Sequence, residues 1–367
     1  MNGKWFRFSA TTAAVLMCAL VLSGCGSGGG KGGGGTGGGT KGGGTTNSGK
    51  TKFLSMGTSP IGGTFQQVGN SLCVVLNKNG GDNNWKAQAK GTKGSQQNIR
   101  LLDQGEYQLG IANSAISFNA VNGTGGWDKK YEIRAITTIA PLVAMFVTKT
   151  SSGIKTIQGL KGKRVICGPN GAGFEMFIEP LLEAHGVKLA DFTKLNANFA
   201  DSVTQLSDGG ADAAFLGGAV PSPAIQQASD LGILLIPFEA EARKQLVKDY
   251  PFFSEITVKA GTYADLKEDY HGLNVGAMHL ITSAAQDDEF VYQITKTIWT
   301  NRAKISHPGA KKFINEKNAP RNTGTKFHPG AIRFYKEEGI WPEAAEEGKA
   351  GDDAPATDDP SGDANES

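Results

Sequence analysis

The sequence predicts an α/β fold in which parallel-dominated sheets carry helices on both faces. Short apolar runs of strand length alternate with segments of helical periodicity from about Lys52 to Trp341. The strands hand over to helices through corners rich in glycine and small polar residues. No repeat of fixed period is present, and no apolar run in this body is long enough to cross a membrane.

Lys52–Met56 reads as a strand and Thr64–Asn77 as a helix, because Phe65, Val68, Leu72, Val75 and Leu76 recur on one face. A strand at Trp85–Ala89 precedes a helix at Ser95–Gln104 that carries Ile99, Leu101 and Leu102. Leu109–Ala112, Ile133–Ile139, Val143–Thr148, Arg164–Cys167, Ala211–Phe215 and Ile233–Pro237 continue the strands. Helices are expected after Asn113-Ser114, through Glu175 and Ile178, near Pro223, and at Glu239–Lys248. Two extended stretches follow at Ile256–Lys259 and Leu273–Met278. Helices then close the body at Asp287–Ile305, Gly309–Asn315 and Gly330–Glu338.

The corners are the informative part. Gly57–Thr64, Gly91–Ser95, Asn113-Ser114, Gly168–Gly173 and Leu216–Gly218 each stand between a strand and a helix. Ligands of open α/β sheets bind at the carboxyl ends of strands, where helix starts offer unpaired N–H groups and a dipole that favours an anion. Glycine lets backbone approach closely there. The candidate ligand-binding residues at these corners are Thr58, Ser59, Gly63, Thr64, Gly94, Ser95, Asn113, Ser114, Asn170, Gly171, Gly173 and Gly217.

Charge narrows the partners. The net charge of +2 divides into +5 over residues 1–50, −8 over residues 343–367 and +5 over the body. So small an excess, without interleaved aromatic residues, gives no nucleic-acid surface. Residues 343–367 hold nine acidic side chains against Lys349 and read as a disordered, solvated tail.

At the other end, Lys4 and Arg7 precede a short apolar run ending in Leu22-Ser23-Gly24-Cys25. That layout resembles a bacterial lipoprotein signal, with residues 1–24 removed and Cys25 lipidated. Residues 26–50 contain 15 glycines and no apolar side chain, so residues 25–51 read as a flexible tether. These features place the body outside the cytoplasm, in the periplasm or on the outer face of the cell membrane. The lipid anchor is its expected membrane contact. Of four cysteines, Cys18 leaves with the signal, and Cys73 and Cys167 are expected to be buried free thiols.

Catalytic patterns are poor matches. Gly168–Gly173 has the spacing G-x-x-G-x-G rather than the dinucleotide fingerprint, and Ser59 lacks the second glycine of a hydrolase elbow. No pair of the five histidines has metal-ligand spacing, and His307 and His328 precede Pro-Gly as helix-start punctuation. A binding protein without metal or cofactor is expected. An enzyme on the same scaffold and a sensory or adhesive lipoprotein are the alternatives.

Met56–Phe65, Ala89–Leu102, Gly105–Gly110, Leu160–Val165, Gly168–Gly173, Tyr250-Pro251, Ala260–Tyr263 and His328–Tyr335 together resemble TAXI-family solute receptors of TRAP transporters. The resemblance implies a two-lobed fold like the type II periplasmic binding proteins, with residues 52–144 plus 255–342 in one lobe and 145–254 in the other. It adds Asn98 and Tyr263 to the candidate binding residues. It also implies capture of a small organic anion, glutamate-like or a dicarboxylate, and delivery to a TRAP transporter membrane subunit. Three departures from the family pattern, at Ala172 with Phe174, at Asn113-Ser114-Ala115 and at Ala140-Pro141-Leu142, remove polar groups or add bulk. They point to a solute smaller or less polar than a dicarboxylate.

Cys25→Ser is expected to release the protein from membranes. Membrane fractionation checks this, and a variant that stays in the membrane pellet like the parent rules out lipidation at Cys25.

Overall fold

The fold is given by a computed structural model that describes residues 51–250 and 252–342. The expected signal, Cys25 and its tether up to Lys50, Pro251, and the acidic tail from Glu343 lie outside the described residues.

Eleven strands are present: β1 (Lys52–Gly57), β2 (Trp85–Lys90), β3 (Leu109–Asn113), β4 (Ile133–Val143), β5 (Phe146–Lys149), β6 (Arg164–Ile166), β7 (Thr193–Leu195), β8 (Ala213–Phe215), β9 (Ile233–Ile236), β10 (Phe253–Val258) and β11 (Tyr270–Ser283) among the described residues. The helices are α1 (Thr64–Asn79), α2 (Ser95–Asp103), α3 (Ser114–Asn122), α4 (Glu175–Glu183), α5 (Phe199–Asp208), α6 (Pro223–Ala228), α7 (Ala240–Asp249), α8 (Asp288–Thr300), α9 (Pro308–Phe313) and α10 (Pro329–Glu337).

They build two sheets of the same design. The first runs β2-β1-β3-β11-β4, with β10 pairing the first half of β11 on the edge that β3 occupies further along. The second runs β7-β6-β8-β5-β9. In each, β1 or β6 pairs in parallel with its two neighbours, and one strand, β11 or β5, runs against the rest. The chain passes from one sheet to the other between β4 and β5, and returns between β9 and β10. Helix on sheet accounts for the apolar periodicities. Leu72 and Leu76 of α1, Met56 of β1 and Ile111 of β3 are fully buried in one core with Ile294 of α8 and Phe334 of α10. A second core runs from Ile99 and Ile116 through Phe146 to Ile166, Leu181 and Phe215.

Several boundaries differ from the sequence reading. β4 continues through Pro141 to Val143, and the expected strand Val143–Thr148 breaks at Ala144-Met145, where the chain changes sheets. The expected helix Asp287–Ile305 ends at Thr300, followed by a separate turn at Arg302–Lys304. β7, not expected from the sequence, is a three-residue edge strand of Thr-Lys-Leu, whereas α5, also not expected, does space Phe199, Val203 and Leu206 on one buried face. Cys73 and Cys167 are free and buried, and burial pushes each thiol up to about 12.

The histidines do structural work. His307 and His328 are the caps of α9 and α10, their Nδ1 atoms accepting from the N–H of Ala310 and Gly330. His279 on β11 is wholly buried, its Nε2 2.8 Å from Ser117 Oγ and its Nδ1 3.3 Å from Thr323 Oγ1. Burial pushes the His279 imidazole down to about 3, and desolvation also lowers His307 and His328. Because these folded-state values lie below the unfolded one, the unfolded chain binds protons that the folded chain refuses. The stability that His279 confers in this way is full above the unfolded value of 6.5 and is lost as pH falls toward 3. For His279→Gln, the pH dependence of urea unfolding across that window should be shallower by about 1.4 kcal/mol per pH unit, one proton's worth. An unchanged slope means that His279 titrates alike in both states.

Candidate functional site

The segments that follow β1, β2, β3, β6 and β8, together with the end of β4, converge on a cleft between the two sheets. Ser59, Pro60, Thr64, Phe65, Gly94, Ser95, Asn113 and Val275 line it from the first sheet's side, and Leu142 and Val143 from the crossover. Phe174, Phe177, Phe199, Phe215, Gly217 and Gly218 line it from the second. The cleft is narrow, with a cavity volume of about 40 Å³.

The first corner is tied down from within. Thr58 Oγ1 donates to the Lys90 carbonyl at 2.7 Å, and the Thr58 carbonyl accepts from Asn98 Nδ2 at 2.7 Å. Ser59 Oγ accepts from the Gln66 N–H at 3.1 Å. α1 begins at Thr64 behind Gly63, which has no side chain to cap it, so Ser59 supplies the one side-chain bond to its first turn among the described residues. A β-carbon on Gly63 would lie 2.5 Å from Ser59 Oγ and 3.0 Å from the Phe199 ring, so glycine is what lets this loop meet the opposite lobe. The Thr64 side chain, 5% exposed, makes no hydrogen bond among the described residues.

At the second corner Gly94 has φ 120°, a conformation that requires glycine, and it starts α2 without a side-chain cap. Ser95 Oγ accepts from the Asn113 N–H at 2.9 Å. Asn98 is fully buried and serves as a brace: Nδ2 also donates to the Ile111 carbonyl at 2.8 Å, while Oδ1 accepts from Thr92 Oγ1 at 2.7 Å. At the third corner Asn113 caps α3 through Oδ1 and donates from Nδ2 to the Val275 carbonyl. Ser114 Oγ accepts from the Ala277 N–H.

On the other lobe, Gly217 and Gly218 form the cleft wall, and Gly218 exchanges two backbone hydrogen bonds with Val143 at 2.9 and 3.0 Å. A β-carbon on Gly218 would lie 2.8 Å from Thr64 Oγ1. The lobes therefore stand against each other across the cleft.

Of the residues expected at the site, Ser59, Thr64, Gly94, Ser95, Asn113 and Gly217 line the cleft. Thr58, Gly63, Asn98 and Ser114 lie behind that wall, where turn and cap hydrogen bonding or close packing holds them. Asn170 and Gly171 are exposed, and buried Gly173 packs against Gln96 and Ile116 in a seam between the lobes. Tyr263 is elsewhere: its hydroxyl accepts from the Ser222 N–H at 2.8 Å, and burial raises its pKa.

The aromatic wall has no counterpart among the expected site residues. Phe174 sits 5.5 Å from Phe177, 6.0 Å from Phe199 and 5.8 Å from Phe215, ring centre to ring centre. Read along the chain these phenylalanines look like ordinary core. The signal available was the bulk of Phe174 beside the Gly168–Gly173 loop. Among the described residues, no side chain lining the cleft carries a formal charge.

Two lobes of matching strand order facing one cleft define a type II periplasmic binding protein-like fold. The chain matches the NMT1-like family over residues 56–339 and belongs to that family. Similar solved structures include an alkanesulfonate-binding protein from Xanthomonas axonopodis pv. citri bound to MOPS (15% identity, 80% of this chain and 81% of that chain, TM-score 0.45). A periplasmic aliphatic sulphonate binding protein from Escherichia coli is also similar (14% identity, 70% and 71%, TM-score 0.40). So is a binding protein component of an ABC phosphonate transporter from Pseudomonas aeruginosa (10% identity, 72% and 78%, TM-score 0.44).

Asn98→Ala strips two buried carbonyls and one hydroxyl of a partner at once, and is expected to cost on the order of 3 kcal/mol in urea unfolding. A loss under about 1 kcal/mol would mean that water replaces the amide and that Asn98 braces nothing.

Proposed function

We propose that this protein is an extracytoplasmic solute receptor that captures a small organic anion in the interlobe cleft. The observation that carries the reading is the convergence of two glycine-preceded helix starts, α1 with only its Gln66 N–H taken by Ser59 and α2 uncapped, on a cavity walled by both lobes. Such starts offer N–H groups and partial positive charge to an acceptor. Ser59, Thr64, Gly94, Ser95, Asn113 and Gly217 are the contacts. Thr58, Gly63, Asn98, Ser114 and Gly173 hold the loops in shape, whereas Asn170, Gly171 and Tyr263 act at a distance.

Chemistry within the cleft supports binding over acid–base turnover. Its walls are hydroxyl, amide, glycine backbone and hydrocarbon. The strongly shifted groups His279, Tyr270 and Tyr335 are outside it.

The finer assignment follows the TAXI resemblance. Lobe 1 comprises 52–144 plus 255–342 and lobe 2 comprises 145–254, with hinge motion between them. The protein hands its solute to a TRAP-type membrane subunit while Cys25 lipid and the glycine tether hold it at the membrane. No helix among the described residues is long and apolar enough to cross a membrane.

Ligand at 100 times its dissociation constant should stabilise the parent by about 2.7 kcal/mol. Gly218→Ala places a methyl 2.8 Å from Thr64 Oγ1 across the cleft, so the Thr64 side chain must move, and most of that gain should be lost. A thermal shift screen of organic acids reads both effects. Retention of the full ligand shift by Gly218→Ala would move the binding site away from this cleft.

A further inference from the structure

The cleft is chemically two-ended, and its ends differ. One end gathers neutral donors. The Thr64 hydroxyl is 5% exposed and unpartnered among the described residues, at the first position of α1. The Ser95 hydroxyl, at the first position of α2, accepts from the Asn113 N–H and keeps its own proton to give. No side chain among the described residues closes the start of α2, and at α1 Ser59 takes only the Gln66 N–H. The Thr64 hydroxyl faces the cleft with no protein partner among the described residues, so a ligand can bond to it without breaking an existing hydrogen bond.

The other end is hydrocarbon. Phe174 stands within 6.0 Å, centre to centre, of Phe177, Phe199 and Phe215. Phe177 and Phe215 are themselves 5.6 Å apart. Phe174 is the half-buried member of the four, so its ring is the part of the wall that a ligand can still cover.

This asymmetry sets the charge of the guest. One carboxylate fits at the helix starts, where dipoles and hydroxyl protons replace its water. A second carboxylate on the same small molecule would fall against phenyl rings with no cation on the lining to meet it, and burying an unpaired charge is prohibitively unfavourable. Resting on the receptor reading above, we infer that the cleft selects a monocarboxylate bearing an aromatic or branched apolar body, not a dicarboxylate or a glutamate-like solute. The carboxylate lies between Thr64 and Ser95, and the apolar body covers the Phe174 ring.

Isothermal titration of the full-length chain tests this with phenylacetate, 4-methylpentanoate, phenylacetamide, succinate and glutamate. The two monocarboxylates should bind at least about tenfold more tightly than the other three, because a site built to bond one polar end rejects what lacks it or doubles it. Thr64→Val removes the unpartnered hydroxyl while keeping its shape, so it should leave the unliganded melting temperature unchanged and weaken phenylacetate about tenfold. Phe174→Ala should weaken phenylacetate and narrow its margin over succinate. Succinate or glutamate binding tightest, with loss of binding in Gly218→Ala, overturns the monocarboxylate class and leaves the receptor standing. Phenylacetamide binding as well as phenylacetate, or phenylacetate binding unchanged in Thr64→Val, overturns the carboxylate position. If none of the five binds and no small molecule co-purifies with the chain, the receptor reading falls with it.

Discussion

Two strands that run against their neighbours, β5 and β11, keep the halves of this molecule aligned. Each occupies the fourth place in its sheet, and each lies beside a passage of the chain from one sheet to the other. β5 leaves β4 after Ala144 and Met145 alone, so the first sheet's edge and the second sheet's interior are nearly one ribbon. Backbone bonds reinforce the passage: Ala144 N–H to the Leu273 carbonyl, and the Val143–Gly218 exchange at the base of the cleft. The Tyr270 hydroxyl, fully enclosed, is 3.2 Å from the Ala144 carbonyl and 3.4 Å from the Ile236 carbonyl, binding both crossovers to the start of β11. With strand directions fixed in this way, the carboxyl ends of both sheets' parallel strands must look at each other. The cleft is the geometric result.

Inside it, two demands compete for the same small polar residues. A tight turn leaves backbone N–H and carbonyl groups that must be satisfied before anything else. Thr58, Asn98, Asn113 and Ser114 answer that demand, each bonding backbone within its own or a neighbouring corner. What remains for a guest is the residue whose hydroxyl the turns do not consume, and the helix-start N–H groups that no side chain among the described residues takes. Binding capacity here is a remainder, left once the loops are internally complete.

That competition explains how far the sequence can be read. Strands and helices with long apolar periodicity, such as β1, α1 and β3, are visible because one face of each must be buried. β11 is harder: its Leu273–Met278 centre is evident, but its reversed direction and its full Tyr270–Ser283 length depend on partners far away in the chain. β7 escapes because an edge strand with partly exposed residues needs no apolar alternation, whereas the Phe199, Val203 and Leu206 face of α5 was there to be read. Glycine-rich corners mark where a cleft forms, yet not which corner residue faces it, since hydrogen-bond partners decide that. The phenylalanine wall is the least legible feature. Phe174, Phe199 and Phe215 come from three different elements, and a ring that lines a cleft has the same local pattern as one that fills a core.

The long return of the chain also governs the order in which the molecule can be assembled. The second sheet draws all its strands from one continuous segment, Phe146–Ile236. In the first, one edge of β3 pairs β1 early but the other is paired only when β11 arrives, and the Asn113–Val275 side-chain bond spans 162 positions. Contacts of such separation form late, after a large loop has been closed. As the chain emerges from its amino terminus, the second lobe can complete itself while β1, β2 and β3 still present an open sheet edge. An open edge invites pairing with the wrong strand. The last-made third of the chain thus finishes what the first-made third began, and that interval is when this protein is most exposed to misassembly.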